Sequence, residues 1–202
     1  MIPVLQQPEP PDFEALVRQP GKVFLQANPN PSSWGNREYW QKALPRMRKA
    51  YKKLCSYSAQ WIPKATGNHS IEHYLPKDKH PLQAYEWDNF RYVSARFNSR
   101  KGIKAILDPF QIGQNWFVID FTSFFVKPNS DLNFLSDSQK QLVRDTIEIL
   151  KLNDDDDLVE ERKEFFDDYK SQAITFLYLE KKAPFIAHEV KKEKGKIPYT
   201  NR

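Results

Sequence analysis

The most restrictive feature of this sequence is the distribution of its prolines. Seven of the fifteen prolines fall within residues 1–33, while the whole chain of 202 residues contains only six glycines. Because proline fixes φ and removes a backbone donor, this segment is predicted to be an extended arm and not a helix. The scarcity of glycine argues against a glycine-rich nucleotide-binding loop, and neither a Walker pattern nor G-x-G-x-x-G occurs.

The remaining composition is typical of a folded protein that does not cross a membrane. Hydrophobic residues make up 40% of the chain and charged residues 28%, which are globular values. No apolar run approaches the ~20 residues of a membrane span, and the first residues lack the pattern of a signal peptide. The single cysteine, Cys55, excludes a disulfide framework and a zinc site of four cysteines. These features predict a cytoplasmic protein with no membrane partner.

Charge is segregated along the chain. The formal charge is −1 over residues 1–35, +9 over residues 36–110, −8 over residues 111–180 and +5 over residues 181–202. The basic segment is the surface expected to meet phosphates, and the acidic segment is expected to avoid nucleic acid and to face a basic partner. The alternative is that both are solvated surfaces without partners. The last residues, 191–202, are predicted to fray.

Hydrophobic periodicity predicts the elements of the first half of the chain. After Asn36, apolar residues recur at helical spacing, with a kink or a restart at Pro45. Residues 56–110 have little helical period and many turn residues. The run WFVIDFTSFFV, residues 116–126, is typical of β structure.

The last third of the chain carries helix signals. Ser136 and Gln139 form a capping box ahead of a helix that is predicted to end near Leu152. The acidic residues 154–157 suit the start of a second helix. Its apolar face is predicted to continue to Phe176.

Polar residues that suit phosphodiester hydrolysis are concentrated in residues 55–102. Glu72 and His73 are adjacent at the end of a predicted strand, and Asn98 and Lys101 would share one face of a helix. Carboxylate and amide oxygens suit magnesium or manganese, and an imidazole accepts a proton from water near neutral pH. The set predicts a metal-assisted phosphodiesterase. The alternative is structural, since a histidine beside a glutamate is more often part of the fold.

The order of these residues resembles the HNH endonuclease family, whose ββα-metal core carries an acid–His pair, then Asn, then His or Asn, and often Lys. The segments EHYLPK, YEWDNF and FNSRKG look most like the small HNH nucleases of bacterial anti-phage systems of the Septu and retron types. The resemblance covers residues 55–102. It implies an α+β fold with an HNH core in residues 36–110. This core would lie between the Pro-rich arm of residues 1–35 and a mainly helical region of residues 111–202.

The resemblance also implies a role for each residue. His73 would be the general base, and Glu72 and Asn98 would be the metal ligands. Asn89 would orient the loop that carries His73, and Lys101 would contact phosphate or stabilise the transition state. Basic residues near the site are predicted to contact DNA or RNA: Lys77, Lys79, Arg96, Arg100 and Lys104.

One departure from the family concerns a structural zinc, which many members hold with two C-x-x-C pairs. The matching positions here are Cys55, Ser58, Ser94 and Phe97. Phenylalanine has no atom that binds zinc, and a hydroxyl is a poor substitute for a thiolate. The expected cofactor is therefore Mg²⁺ or Mn²⁺, with no structural zinc. Aromatic packing is predicted to replace the zinc, through Tyr57, Trp61, Trp87 and Phe97.

Two other histidines are less specific. His69 and His80 lie in segments rich in turn residues. Such side chains are predicted to be exposed. Contact with phosphate, or with the water of a bound metal, is the alternative.

Two functions remain open. The first is a metal-dependent endonuclease that works beside an ABC-type ATPase, as the resemblance to anti-phage nucleases implies. The second is a non-catalytic binding or assembly subunit with a relic HNH core. The complete set of site residues favours the first. Residues 1–33 and the aromatic residues around Phe166 are predicted to contact the partner, and the alternative is that they wrap the chain's own core.

Overall fold

The computed structural model describes residues 1–196, which form α-helices and two small antiparallel sheets. This architecture confirms a mixed α+β fold. The helices are α1 (Gln19–Ala27), α2 (Leu44–Ala50), α3 (Ala95–Lys101), α4 (Asp137–Ile149), α5 (Asp156–Lys170), α6 (Phe176–Lys182) and α7 (Pro184–Lys196). The strands are β1 (His69–His73), β2 (Phe90–Ser94), β3 (Phe117–Asp120) and β4 (Phe125–Pro128).

Residues 13–27 are helical, so the prediction of an extended arm over residues 1–33 is wrong for its central part, while residues 1–10 contain no helix or strand. A π-helical turn, Glu14–Arg18, runs directly into α1, and the N–H of Gln19 donates to a carbonyl five residues earlier. Pro20 lies directly after this π-helical turn, inside one continuous helical stretch of residues 13–27. Phe13 and Val17 are buried in the core. Apolar side chains of this segment thus pack against the chain itself.

The centre of the chain is a strand–strand–helix unit. β1 pairs with β2 in antiparallel register, with His73 opposite Phe90. α3 begins at the residue after β2 and contacts both strands. It covers the face of β1 that carries Ser70 and Glu72, because the side-chain amide of Asn98 donates to Ser70 Oγ at 2.7 Å. The predicted strand and helix are confirmed, and the assignment of this unit to the HNH family stays a prediction.

Local signals predicted several neighbouring elements correctly. The chain restarts at Pro45, which lies in the first turn of α2 after a short 3₁₀ segment. The β-type run forms the hairpin of β3 and β4. The capping box is complete, since the Ser136 hydroxyl accepts from the Gln139 N–H and the Gln139 side chain accepts from the Ser136 N–H.

The C-terminal apolar face is divided between two helices, so the prediction of one helix reaching Phe176 is wrong. α5 ends before Gln172, whose φ of 64° is left-handed, and Thr175 caps the start of α6. The Phe166 ring stacks on Phe121 with centroids 4.4 Å apart. Aromatic groups of α5 therefore cover the β3–β4 hairpin of the same chain.

Two further predictions concern the C-terminal tail and the absence of a membrane span. Of the tail predicted to fray, residues 191–196 are helical within α7, and residues 197–202 lie outside the described part. Within residues 1–196, no helix combines the length and the apolar character needed to cross a membrane.

Candidate active site

His73 ends β1 and is held on three sides. Its ring meets Trp40 and Phe90 edge-on, with centroids 4.8 Å and 5.2 Å away. Nε2 lies 3.0 Å from the carbonyl oxygen of Ala84. Because a carbonyl only accepts, Nε2 carries the hydrogen and Nδ1 carries the lone pair. Within residues 1–196, no hydrogen bond to Nδ1 is found, and His73 as a whole is 9% exposed.

The environment of His73 keeps its imidazole neutral. Burial lowers the pKa of His73 to about 4, and the charges of Lys77 and Lys101 act in the same direction. The hydrogen bond to Ala84 acts against this shift without overcoming it. At neutral pH the ring is therefore uncharged, and the same shift makes it a weaker base than an ordinary histidine.

Glu72 precedes His73 on β1, so its side chain points to the opposite face of the strand, where it forms a buried charge pair. Its Oε1 is 2.6 Å from Lys101 Nζ, and its Oε2 accepts from the Tyr57 hydroxyl at 2.7 Å. Glu72 is 1% exposed and Lys101 is 0% exposed. Burial raises the pKa of Glu72, while Lys101 and Tyr57 lower it. Lys101 Nζ also donates to the carbonyl of His73 at 3.2 Å, so the pair links α3 to the end of β1.

Asn89 fixes the loop between the two strands. Its Oδ1 accepts from the N–H of Leu75 at 2.7 Å, and its Nδ2 donates to the carbonyls of Leu75 and Gln83, both at 3.0 Å. Gln83 directly precedes Ala84, whose carbonyl holds His73. Asn89 therefore holds both the start of the loop and the acceptor of His73, as expected of a residue that orients this loop.

Asn98 lies on the face of α3 that meets β1. Its Nδ2 donates to Ser70 Oγ at 2.7 Å and to the carbonyl of Ile71 at 3.1 Å. These bonds leave Oδ1 as an acceptor. Lys101 lies one turn further along the same face, as the i, i+3 spacing predicted.

The donor set does not fit a divalent cation in this arrangement. Both oxygens of Glu72 are engaged, and the ammonium of Lys101 takes the position next to Oε1. In the described part of the chain, no group of three or more His, Cys, Asp or Glu side chains could hold a metal ion. A cation would reach Glu72 only by displacing Lys101. The metal-ligand roles of Glu72 and Asn98 stay predictions.

Two of the basic residues predicted to bind nucleic acid are paired within the chain. Arg96 Nη1 lies 2.8 Å from the Asp155 carboxylate, and Arg100 binds the same oxygen. Burial alone would raise the pKa of Asp155, but the hydrogen bonds from Arg100 and Arg96 outweigh it and lower that pKa. The acidic segment thus faces basic residues of its own chain.

The predicted lysines are more accessible. Lys79 and Lys104 are exposed. Lys77 is half-buried, with Nζ 5.5 Å from the ring centre of Trp34 and 3.4 Å from Asp78. Lys77 and Lys79 therefore offer charge within six residues of His73 along the chain, and Lys104 offers charge after the end of α3.

The four positions that match zinc ligands in HNH proteins are close in space. The N–H of Ser94 donates to Cys55 Sγ at 3.4 Å. Ser58, Ser94 and Phe97 line one cleft of about 520 Å³. Cys55 and Phe97 are buried, as are Tyr57 and Trp87 of the predicted aromatic brace. That the protein binds no structural zinc stays a prediction.

Sequence reasoning missed the buried partners of these residues. Arg91 forms a two-pronged ion pair with Asp108, at 2.8 Å and 2.7 Å, and its guanidinium lies 3.7 Å from the ring centre of Phe110. Tyr57 was expected only as packing, yet it donates to Glu72. Long-range pairs of this kind leave no periodic signal in one sequence.

Comparison with known proteins adds no family to this description. A scan against protein-family models finds no matching family, and a search of curated proteins finds no match. The resemblance to HNH nucleases therefore rests on the residues of the sequence and stays a prediction.

The buried charge pair gives the first prediction. Lys101→Met should lower the free energy of unfolding at pH 7 by about 3–5 kcal/mol, because it leaves the Glu72 carboxylate buried without its cation. Urea denaturation measures this loss. The folded-state pKa of Glu72 should rise further, so the carboxyl is more easily protonated when folded and the loss should shrink between pH 7 and pH 5.

The matched control is the double variant Glu72→Gln with Lys101→Met, in which no charge is buried. It should recover most of the stability that Lys101→Met loses. A loss in Lys101→Met that is equal at both pH values and is unchanged in the double variant would show that packing, and not charge, holds this site together.

Proposed function

We propose that this chain is an HNH-type endonuclease that hydrolyses phosphodiester bonds of nucleic acid, DNA in the first instance and RNA as the other substrate. The observation that carries the proposal is the position of His73: its imidazole is held through Nε2–H by the Ala84 carbonyl, and Nδ1 makes no hydrogen bond within residues 1–196. A positioned neutral imidazole is the group that general-base hydrolysis requires. The order strand–strand–helix around it supports the family assignment.

The proposed step begins with a water molecule at Nδ1 of His73. His73 takes a proton from this water while the water oxygen forms a bond to phosphorus. The bond from phosphorus to the leaving nucleoside oxygen breaks, and that oxygen takes a proton from solvent. Asn89 acts as a positioning residue, because it holds the loop segment to which His73 is anchored.

The predicted Mg²⁺ or Mn²⁺ has no free ligand set in the observed arrangement, so no step is assigned to it. The charge of the phosphate is met instead by basic groups of this chain. Lys77, Lys79 and Lys104 belong to the segment of residues 36–110, whose formal charge is +9. Phosphodiester chemistry is common to DNA and RNA, so the substrate classes share this description.

An ABC-type ATPase partner enters the proposal through the resemblance to anti-phage nucleases. Part of the surface first predicted is used within the chain, because Phe13 and Val17 are buried and Phe166 stacks on Phe121, while Val23 of the N-terminal segment is 64% exposed. On α6, Leu177 is 74% exposed and is available for such a contact.

The second candidate function is a non-catalytic binding or assembly subunit. The contact of Lys101 with Glu72 favours it, since the acid that would hold a metal is occupied by an ammonium group. The two candidates differ in one measurable property, which is cleavage that depends on His73.

The proposed function predicts that His73→Asn abolishes cleavage while the fold is kept. Asparagine retains a donor for the Ala84 carbonyl and removes the basic nitrogen. Loss of a general base costs roughly 10²–10⁴-fold in rate. The measurement is cleavage of plasmid DNA and total RNA by the purified full chain with Mg²⁺ or Mn²⁺, with and without its genomic neighbour.

The matched control is His80→Asn, which changes an exposed histidine on the same loop. It should cleave as the unaltered chain does. Equal activity in His73→Asn would remove His73 from the base role. No activity in the unaltered chain under any of these conditions would favour the assembly subunit.

A second prediction concerns the arginines that Asp155 neutralises. Asp155→Asn keeps a capping side chain at the start of α5 but removes the charge that binds Arg96 and Arg100. If both arginines then meet phosphates, the log–log salt dependence of nucleic-acid binding steepens by about 1–2. Binding at several salt concentrations, measured by fluorescence anisotropy, tests this.

Asp154→Asn is the control, because Asp154 is exposed and adjacent and the change in net charge is the same. It should leave the slope near that of the unaltered chain. Equal slopes in both variants would mean that Arg96 and Arg100 do not contact the nucleic acid.

A further inference from the structure

A cleft of about 520 Å³ lies beside the strand–strand–helix unit, and the proposed hydrolysis does not use it. We name it the Trp61 cleft, and the side chains that line it include Gln60, Trp61, Ser94, Phe97 and Glu161. Its volume falls within the ~300–1,000 Å³ that is typical of ligand sites. Aromatic and hydrogen-bonding side chains in a cleft of this size suit a small, flat, polar group.

The Trp61 cleft lies at the end of the sheet that is opposite to His73. Ser94, which lines the cleft, is the register partner of His69 at the start of β1, whereas His73 is paired with Phe90. At ~3.3 Å per residue, the four steps from His69 to His73 span about 13 Å. His69 is half-buried, so the prediction that it is exposed is wrong. A strand of a few nucleotides that is bound at His73 has the length to reach the cleft.

The wall of the cleft offers an acceptor for hydrogen bonds. Gln60 Nε2 donates to Glu161 Oε2 at 3.0 Å, and Gln60 Oε1 is enclosed without a partner. Glu161 is exposed, and within residues 1–196 it forms no ion pair and no hydrogen bond to its Oε1 is found. Glu161 Oε1 is therefore the acceptor that a molecule in the cleft meets. A carboxylate oxygen favours an N–H donor over a carbonyl or a phosphate.

Lysines that do not line the cleft lie next to Trp61. The Trp61 N–H donates to the carbonyl of Lys182, and the Ile62 N–H donates to the carbonyl of Lys53, both at 2.8 Å. Lys182 Nζ lies 3.1 Å from the ring centre of Trp61. Burial lowers the pKa of Lys182, and the charges of Lys181 and Lys53 act in the same direction. Within residues 1–196 none of these three lysines forms an ion pair, so their charge is open to an anion.

The cleft and the lysines select different parts of one ligand. The carboxylate of Glu161 repels a phosphate from the cleft, whereas the lysines attract one beside it. An organic cation would suit Glu161 but would be repelled by the ammonium of Lys182. The base of a nucleotide is uncharged and stacks on aromatic side chains, and cytosine and adenine carry an amino group that donates hydrogen bonds.

We propose that the Trp61 cleft binds an unpaired base that bears an amino group, while Lys53 and Lys182 hold the adjacent phosphate of the same strand. The cleft should select cytosine or adenine over thymine or uracil, which lack this group. It would then be a specificity site a few nucleotides from the cleaved bond. That role rests on the proposed function, whereas binding of the strand does not.

The first test compares the binding of oligo(dC) and oligo(dT) of equal length by the full chain. Every sample carries His73→Asn, so that the proposed cleavage does not occur. This parent chain should bind oligo(dC) about tenfold more tightly. Glu161→Gln should remove most of the preference, because an amide oxygen is a weaker acceptor than a carboxylate. The matched control is Glu160→Gln, an exposed neighbour with the same change in charge, which should keep the preference.

The second test measures the salt dependence of oligo(dT) binding. Lys53→Gln and Lys182→Gln should each lower the log–log slope by about 1, since each removes one phosphate contact. Lys170→Gln is the control, because Lys170 is exposed at the C-terminal end of α5 and the change in charge is the same. It should leave the slope of the parent chain unchanged.

A preference that falls in Glu161→Gln but not in Glu160→Gln, with slopes that fall only in Lys53→Gln and Lys182→Gln, supports the site. Equal binding of the two oligonucleotides by the parent chain, or equal preference in both glutamate variants, overturns the base cleft. Unchanged slopes overturn the phosphate contact. Loss of poly-glutamate binding in the same lysine variants would then assign these lysines to an acidic protein.

The two proposals fail separately. Base preference in a chain whose native form never cleaves would defeat the nuclease proposal and leave the Trp61 cleft standing. Cleavage that depends on His73, without any base preference in binding, would overturn the Trp61 cleft and leave the nuclease proposal standing.

Discussion

The ion pair of Glu72 and Lys101 is the interaction on which the central unit depends. Two fully buried, opposite charges meet at 2.6 Å between the end of β1 and the end of α3. Each would be costly alone in this environment, so the pair fixes the distance between strand and helix. Tyr57 satisfies the second carboxylate oxygen. The backbone of His73, which accepts from Lys101, is thereby held to the same point.

A second constraint sets the side chain of His73. The three hydrogen bonds of Asn89 define the path of the loop, and that path brings the Ala84 carbonyl to Nε2. The tautomer of His73 follows from this contact, and the low pKa follows from its burial among Trp40 and Phe90. The backbone of this loop thus determines that Nδ1, and not Nε2, is the imidazole nitrogen that can accept a proton.

Sequence alone predicted the local parts of this arrangement and not the long-range ones. The strand at His73 and the capping box at Ser136 follow from patterns within a few residues, whereas the helix at Asn98 lies in a segment with little helical period. Prolines suggested an extended arm, but Pro20 lies directly after a π-helical turn inside a continuous helical stretch. The break near Gln172 depends on a left-handed residue that has no glycine to mark it.

In the candidate site, too, the sequence predicted local features and not long-range contacts. The residues brought together at the end of β1 could be identified from their order, whereas their ionic partners could not. Lys101 was expected to meet phosphate, and it is buried on Glu72. Arg96 and Arg100 were expected at a nucleic-acid surface, and they bind Asp155. In each case the charge partner lies far away along the chain or on another element, where periodicity carries no information.

The state of His73 can be measured directly by a long-range ¹H–¹⁵N correlation of its imidazole nitrogens, assigned with a His73→Asn sample. The account predicts one neutral tautomer at pH 7 with the hydrogen on Nε2, which persists until the pH approaches the pKa of about 4. A hydrogen on Nδ1 at pH 7, or an imidazolium already formed near the ordinary histidine pKa of about 6.5, would contradict it.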